Sequence, residues 1–485
     1  MRMRRVTLND IVRWKSAIAV LLFCAMAMIG SLGQTYHTIV NFNGADGAQG
    51  NSVTQGFDGS LYGTTFDGGT NNVGTVYKIA SDGQLSSLYS FCNASTCTAG
   101  FGTSPLVQGE DGDFYGTNYE GGFLWGAIYT ITPSGTVTTL HDFVSTDGAA
   151  PNRGMVLASD GNFYGTTYFG GTADVGTIFK ITPNGSLTSL YSFCVLPNCT
   201  DGSYPIALLQ GRDDRLYGAT SGGGAYGYPS TIFRLNRSGL LTTLYTFGNT
   251  SSNTSPLLLV QGRGGDFFGL TTPSSLSCPS NPATCGTVFK LTPSGTLTTL
   301  YTFCSQPNCA DGWSPGDLIL ATDGNFYGTT QLGGIPGCGI SKLGCGTIFK
   351  VTPWGTLTTI HSLTGSPADG EEPTYLTQNT DGSFFGTTYY GGSHRGGTVF
   401  QLSTGLGPFV KLVQSSGKVG DTGGILGQGF IGTTDVFLNG TPASFTVISD
   451  TYISATVPAG ATTGLVAVKT PSRTLISNAV FQVTP

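Results

Sequence analysis

The sequence predicts an all-β chain: a seven-bladed β-propeller closed by its own N-terminal strand, followed by a small β-sandwich. Three observations carry this. The stretch DGNFYGTT stands at 160–167 and again at 323–330, and looser copies begin at 58, 111, 213, 264 and 381. Seven copies at a period near 50 mark a propeller or a solenoid. Each copy lies within four short strand-like segments separated by Gly-rich turns, which is the content of one propeller blade. Finally, the two ends of the array lack complementary pieces.

Residues 1–33 stand apart. Arg2, Arg4, Arg5, Arg13 and Lys15 precede an apolar run from Ala17 to about Leu32, and Ser31-Leu32-Gly33 has the small-x-small form of a cleavage site. This reads as an export signal. A retained membrane anchor is the alternative, although the run is marginally short for a span. Cys24 follows LLF, a poor lipoprotein box. Removing these residues takes away five of 21 basic and one of 27 acidic side chains, so the mature chain carries a net charge of −10. An acidic chain with no basic stripe argues against nucleic acid, because phosphate binding needs clustered Lys and Arg. No other segment is apolar enough to cross a membrane.

Residues 34–403 hold the array, and residues 150–193 show one unit. APNRGMVLAS (150–159) ends at Asp160-Gly161, a hairpin signal because both turn residues need positive φ. NFYGTTYF follows, then a Gly-rich loop, then GTIFKIT, a Pro-Asn-Gly turn and SLTSLYSF. These are strands a, b, c and d, with tight turns at a–b and c–d and longer loops at b–c and d–a. YHTIVNF (36–42) matches strand d but precedes every a, b and c, while the last unit ends on strand c, GTVFQLS (397–403). Pairing the first strand with the last completes seven sets and leaves no open edge. A solenoid would need capping repeats instead.

The loops sort onto two faces. The a–b and c–d hairpins share one face, and the b–c and d–a loops share the other. Ten of the eleven cysteines form close couples on the second face: Cys92 with Cys97, Cys194 with Cys199, Cys278 with Cys285, Cys304 with Cys309 and Cys338 with Cys345. An even count in an exported chain points to five local disulfides. Metal binding is the rival, but no couple is a C-x-x-C and no His lies close by.

STGLGP (403–408) is a linker, and 409–485 alternates short strands with Gly, Asn-Gly and Pro turns, as a β-sandwich does. The units resemble the GloVer tandem repeat of exported bacterial proteins, over about residues 36–403; that resemblance implies export and a surface setting but no reaction. SSGKVGDTGGILGQGF, VFLNGTPASF and ISATVPAGATTGLVAVKT resemble the immunoglobulin-like IPT/TIG fold, which implies an interaction or spacer module.

Candidate binding residues lie on the loop face. Asp46, Asp147, Asp201, Asp311 and Asp369 recur in the d–a loops, where their carboxylates either ring the channel mouth, an arrangement that suits Ca²⁺, or fold their own turns. Otherwise no cofactor and no metal are expected. Phe123, Trp125, Tyr168, Phe169, Tyr226, Tyr228, Trp313, Tyr389 and Tyr390 supply aromatic contact area for sugar rings or a partner's side chains, or else pack between blades. His394, beside Arg395 in a b–c loop, is the one His to test as an acid–base group. His141 and His361 share the strand d slot of Tyr89, Tyr191, Tyr245 and Tyr301 and read as packing. No residue is assigned as catalytic. The expected function is an exported, non-catalytic binding protein whose ligand is a polysaccharide or another envelope protein. A glycan-acting lyase or hydrolase and a purely structural spacer are the rival classes.

Overall fold

The computed structural model describes residues 34–91, 101–120, 125–222, 230–248, 255–273, 278 and 284–484. The export signal expected at residues 1–33 therefore lies outside the described residues. The chain is all-β with almost no helix. Residues 34–404 form seven consecutive antiparallel sheets, with strands a to d adjacent in order. The seventh sheet takes Gly370–Gln378, Phe384–Gly391 and Thr398–Thr404 from the end of the array, and Gln34–Asn41 as its fourth strand. Tyr36 pairs with Leu402 and Thr38 with Phe400, so the expected zipping of the two ends is present.

The repeated motif is explained by what packs on it. In each sheet the glycine of the YGTT segment lies beneath the strand c aromatic. A Cβ on Gly165 would meet the Phe179 ring at 2.4 Å, and one on Gly386 would meet the Phe400 ring at 2.2 Å. No side chain larger than hydrogen fits. The second Thr pairs with the first Thr of strand c; Thr65–Thr75, Thr167–Thr177 and Thr388–Thr398 are buried hydroxyl pairs 2.9–3.0 Å apart. In the second sheet Asn118 faces Ala127 instead. The motif's Asp accepts the phenol of the Tyr four residues on, as Asp58 from Tyr62 at 2.9 Å and Asp160 from Tyr164 at 2.8 Å. Turn chemistry thus accounts for this Asp column, as its position in the a–b hairpin implied.

Neighbouring sheets pack face to face through the same positions. Tyr115 stacks on Phe163 at 3.9 Å, and Phe268 lies against Phe326 at 4.2 Å. A buried cluster of Val40, Phe42, Val53, Leu61, Phe385 and Val399 joins the seventh sheet to the first. Glutamines near the end of strand a latch one sheet to the preceding a–b hairpin. Gln108 accepts the Phe57 amide, Gln261 the Arg212 amide and Gln378 the Thr322 amide, each at 2.9–3.0 Å. Gln55 accepts the Thr380 amide at 3.1 Å across 325 residues of sequence, so the junction between the last and first sheets is built like the others.

Residues beyond the ring form two packed sheets around Val410, Ile425, Phe430, Val436, Ile453, Val468 and Phe481. This sandwich sits on the hairpin face. Phe57 stacks on Tyr452 at 4.2 Å, the Thr451 hydroxyl donates to the Phe57 carbonyl at 2.6 Å, and the Phe409 amide donates to the Thr380 carbonyl. Residues from the hairpins of the second to fourth sheets, among them Glu110, Asp160 and Asp214, line a cleft of about 540 Å³ with Lys418 and Asp421 of the sandwich.

Of the five disulfides expected, four are formed among the described residues: Cys194–Cys199, Cys278–Cys285, Cys304–Cys309 and Cys338–Cys345. The fifth, expected between Cys92 and Cys97, is not among them, because Cys92 and Cys97 both lie outside the described residues. Among the described residues no helix is long and apolar enough to cross a membrane. The four bridges are consistent with an extracellular protein.

Candidate functional site at the central channel

All seven innermost strands contribute to one cavity of about 570 Å³. It is lined by Asn51, Thr103, Met155, Ala207, Leu258, Asp317 and Thr374, one or more residues from each sheet. This is the central channel, and its volume falls within the range of small-molecule sites. Phe66, Tyr119, Thr272 and Gln331 at the ends of strand b also line it, so it opens toward the b–c and d–a loops.

Of the described lining residues, Arg153 and Asp317 carry charge. Their positions come from bulges in strand a. In five sheets the a–b register skips one residue after a Pro or Gly near the start of the inner strand: Asn51, Ile206, Leu257, Gly316 and Thr374. In the third sheet it skips two, Arg153 and Gly154. Both hold left-handed backbones, Arg153 at φ 63° and Gly154 at φ 77°. Such a conformation costs a non-glycine residue about 1 kcal/mol or more.

Arg153 is wetted from inside the channel but ringed by protein. Burial pulls its guanidinium below the ordinary value, and Asp317 opposes that pull. Among the described residues it has no hydrogen bond or close ion pair. The Asp317 carboxylate accepts the Leu376 amide at 2.8 Å and its neighbour Leu318's amide at 2.9 Å. Burial nevertheless dominates and holds its carboxyl up at about 6, against the lowering effect of those amides and of Arg153. Sequence reasoning did not select either residue. The available signal was a charged side chain within an otherwise apolar strand, in PNRGMVL (151–157) and PGDLIL (315–320).

The mouth of the channel is asymmetric. The residue after the second Thr of strand b is Tyr389, Phe66, Tyr119 and Tyr168 in the seventh, first, second and third sheets, but Ser221, Thr272 and Gln331 in the fourth to sixth. The aromatic half is partly exposed, with Phe66 at 44% and Tyr119 at 38%. Tyr168 stacks on Tyr204 at 5.0 Å and meets Phe169 edge-on, and Phe66 lies 6.5 Å from Tyr389. Tyr390 stands edge-on to Tyr389 at 4.8 Å. Trp125 is exposed on the same face, and its carbonyl accepts the Ala150 amide of the next sheet. Trp313, by contrast, is 1% exposed and packs with Cys278, Cys285, Cys304 and Cys309; its ring is core. Phe123, Tyr226 and Tyr228 lie outside the described residues.

The loop aspartates do not line the channel. Each turns back into its own loop. Asp201 accepts the Tyr191 phenol at 2.8 Å and the Val195 and Leu196 amides. Asp311 does the same with Tyr301, Ser305 and Gln306. Asp147 and Asp369 take His141 and His361 in place of the Tyr, at 3.0 and 2.9 Å, and Asp46 accepts the Asn43 amide. At His141, Tyr191, Tyr301 and His361 the strand d side chain is therefore the partner of the loop Asp, a pairing that packing alone did not reveal. His394 is exposed and shares a hydrogen bond with the Ser393 hydroxyl.

With this geometry the chain can be compared with known proteins. The model of the Gloeobacter/Verrucomicrobia repeat matches residues 28–228, 194–340 and 276–441. The chain belongs to that repeat family. Among solved structures it is similar to virginiamycin B lyase from Staphylococcus aureus, at 16% identity, covering 76% of this chain and 98% of that one, with a TM-score of 0.51. It is also similar to the extracellular domain of a putative hybrid two-component system from B. thetaiotaomicron, at 10% identity, covering 93% and 58%, with a TM-score of 0.49. A gluconolactonase from Xanthomonas campestris matches at 12% identity over 62% and 89%, with a TM-score of 0.37. These neighbours are β-propeller-like, and the likeness speaks for the fold alone. No curated protein matches.

Proposed function

We propose that this is an exported binding protein: a seven-bladed propeller joined to an immunoglobulin-like sandwich of the IPT/TIG kind, recognising a polysaccharide or an envelope protein through its loop face. One observation carries the reading. The sandwich sits against the hairpin end of the ring, while the other end carries a channel mouth edged by exposed aromatic rings. Amphipathic rings on a rigid frame are what sugar and protein ligands bind against. The test is a glycan-array and envelope-extract screen of the full mature chain, with and without Ca²⁺. We expect a ligand whose affinity falls at least tenfold in Tyr168→Ala or Phe66→Ala. Hits that ignore both substitutions overturn the assignment of the face.

A second reading, a glycan-acting lyase or hydrolase, is favoured by the perturbed Asp317 carboxyl in the channel. Against hydrolysis, glycosidases use two carboxyl groups, and Asp317 has no second carboxylate among the described channel-lining residues. Turnover of any ligand found in the screen would favour the enzyme.

A further inference from the structure

Building on the reading that the loop face binds the ligand, we propose that the channel is a receptor for the carboxylate of an acidic sugar. Arg153 takes the carboxylate, and the aromatic arc of Tyr389, Phe66, Tyr119 and Tyr168 stacks the sugar rings.

Three independent features support this. The first is how Arg153 is presented. Five other sheets turn the same corner with a one-residue bulge, so the fold does not require a second inserted residue. The third sheet inserts Arg153 and Gly154, both in left-handed conformation, and this insertion brings a guanidinium into the cavity. Strain of this kind persists where the surrounding frame over-determines it, and it clusters at ligand sites. The second is the missing partner. Arg153 is exposed to the channel solvent and unpaired among the described residues, so its guanidinium donors are open to a ligand. Asp317 acts on Arg153 only through its field, for no ion pair or hydrogen bond joins the two, and its oxygens accept the Leu318 and Leu376 amides. A planar carboxylate matches the guanidinium fork with two parallel hydrogen bonds. The third is the rest of the lining. Opposite the aromatic half stand a hydroxyl and an amide, Thr272 and Gln331, which suit a hydroxyl-rich molecule.

The charge balance favours a carboxylate over a phosphate ester. Arg153 and Asp317 cancel, so a monoanion can pair with Arg153, whereas a dianion would add a second negative charge near Asp317.

The experiment titrates the full mature chain by calorimetry with galacturonic acid and mannuronic acid trimers, and with the fully methyl-esterified galacturonate trimer. We expect at least one acid to bind ten times or more tighter than the ester. Arg153→Asn should abolish that preference without weakening the ester, and Arg153→Lys should keep part of it. Asn tolerates the left-handed backbone, so a fold defect is not expected. An unchanged melting temperature for Arg153→Asn checks this. If acid and ester bind equally, or Arg153→Asn keeps the preference, the carboxylate proposal is overturned while the loop-face reading stands. If no trimer binds, the proposal falls; if Tyr168→Ala also leaves every array hit unchanged, the loop-face reading falls with it.

Discussion

Two regions of the ring follow opposite rules. In the frame, the same position does the same job in every sheet: a glycine lies under an aromatic ring, and in most sheets a threonine pairs with a threonine and an aspartate holds a phenol. At the mouth, equivalent positions diverge, running Tyr389, Phe66, Tyr119, Tyr168, Ser221, Thr272 and Gln331 around the ring. Folding needs the frame positions to be alike, because each sheet packs against a copy of itself. It places no such demand on side chains that reach past the last strand pairing. Divergence there is where recognition is to be sought.

The sharpest test of this contrast sets a frame glycine against the mouth. A Cβ on Gly269 would meet the Leu258 carbonyl and the Phe289 ring, both at 2.4 Å. Gly269→Ala should cost about 3 kcal/mol or more in denaturant unfolding. Phe66→Ala should shift the same curve by less than about 1 kcal/mol, since the ring is 44% exposed. Gly264, with open space around it and an ordinary φ, is the built-in control, and Gly264→Ala should be near neutral. Comparable losses at Gly269 and Phe66 would break the division.

A smaller effect is expected at the ring's closing junction. Gln55 accepts the Thr380 amide and donates to its hydroxyl at 2.9 Å. Gln55→Ala leaves a buried amide unsatisfied and should cost about 2 kcal/mol. The same substitution at Gln261, an internal junction with the same acceptor geometry, should cost a similar amount. A loss at Gln55 far below that at Gln261 would mean that closure adds little to stability.

The smallest effect concerns Asp317. Its carboxyl titrates at about 6 in the folded chain and at an ordinary 3.8 otherwise. The folded state therefore binds this proton more tightly, and the group's contribution to stability declines as pH rises from about 4 through about 6. Water in the channel limits the swing to about 1 kcal/mol. Asp317→Asn should flatten this part of the stability profile between pH 4 and 7. An unchanged slope would mean that another group carries it.

Much of the frame was legible because it repeats. The offset between YHTIVNF and GTVFQLS led directly to the pairing of Gln34–Asn41 with Thr398–Thr404. Four disulfides formed between cysteines five or seven residues apart, where local spacing leaves few choices. The channel was less legible. Loop residues drew attention, yet both charged lining residues sit on inner strands. A two-residue bulge at Arg153 changes the strand's register without changing its apolar pattern, so periodicity passes over it. Trp313 shows the converse: it follows Asp311-Gly312 in a loop-like string, but strand a begins at that residue and turns the indole into the core.

The strand Gln34–Asn41 also constrains how the chain reaches this structure. During synthesis it emerges first, but its partner, Thr398–Thr404, comes more than 350 residues later. Until then its hydrogen-bonding groups stay unpaired and open to a neighbouring molecule's edge. Final assembly depends on one very distant contact, which slows folding. A chain stopped short of that partner would leave both this strand and Phe384–Gly391 with an unpaired border, whereas two full-length chains could exchange their first strands as a swapped pair.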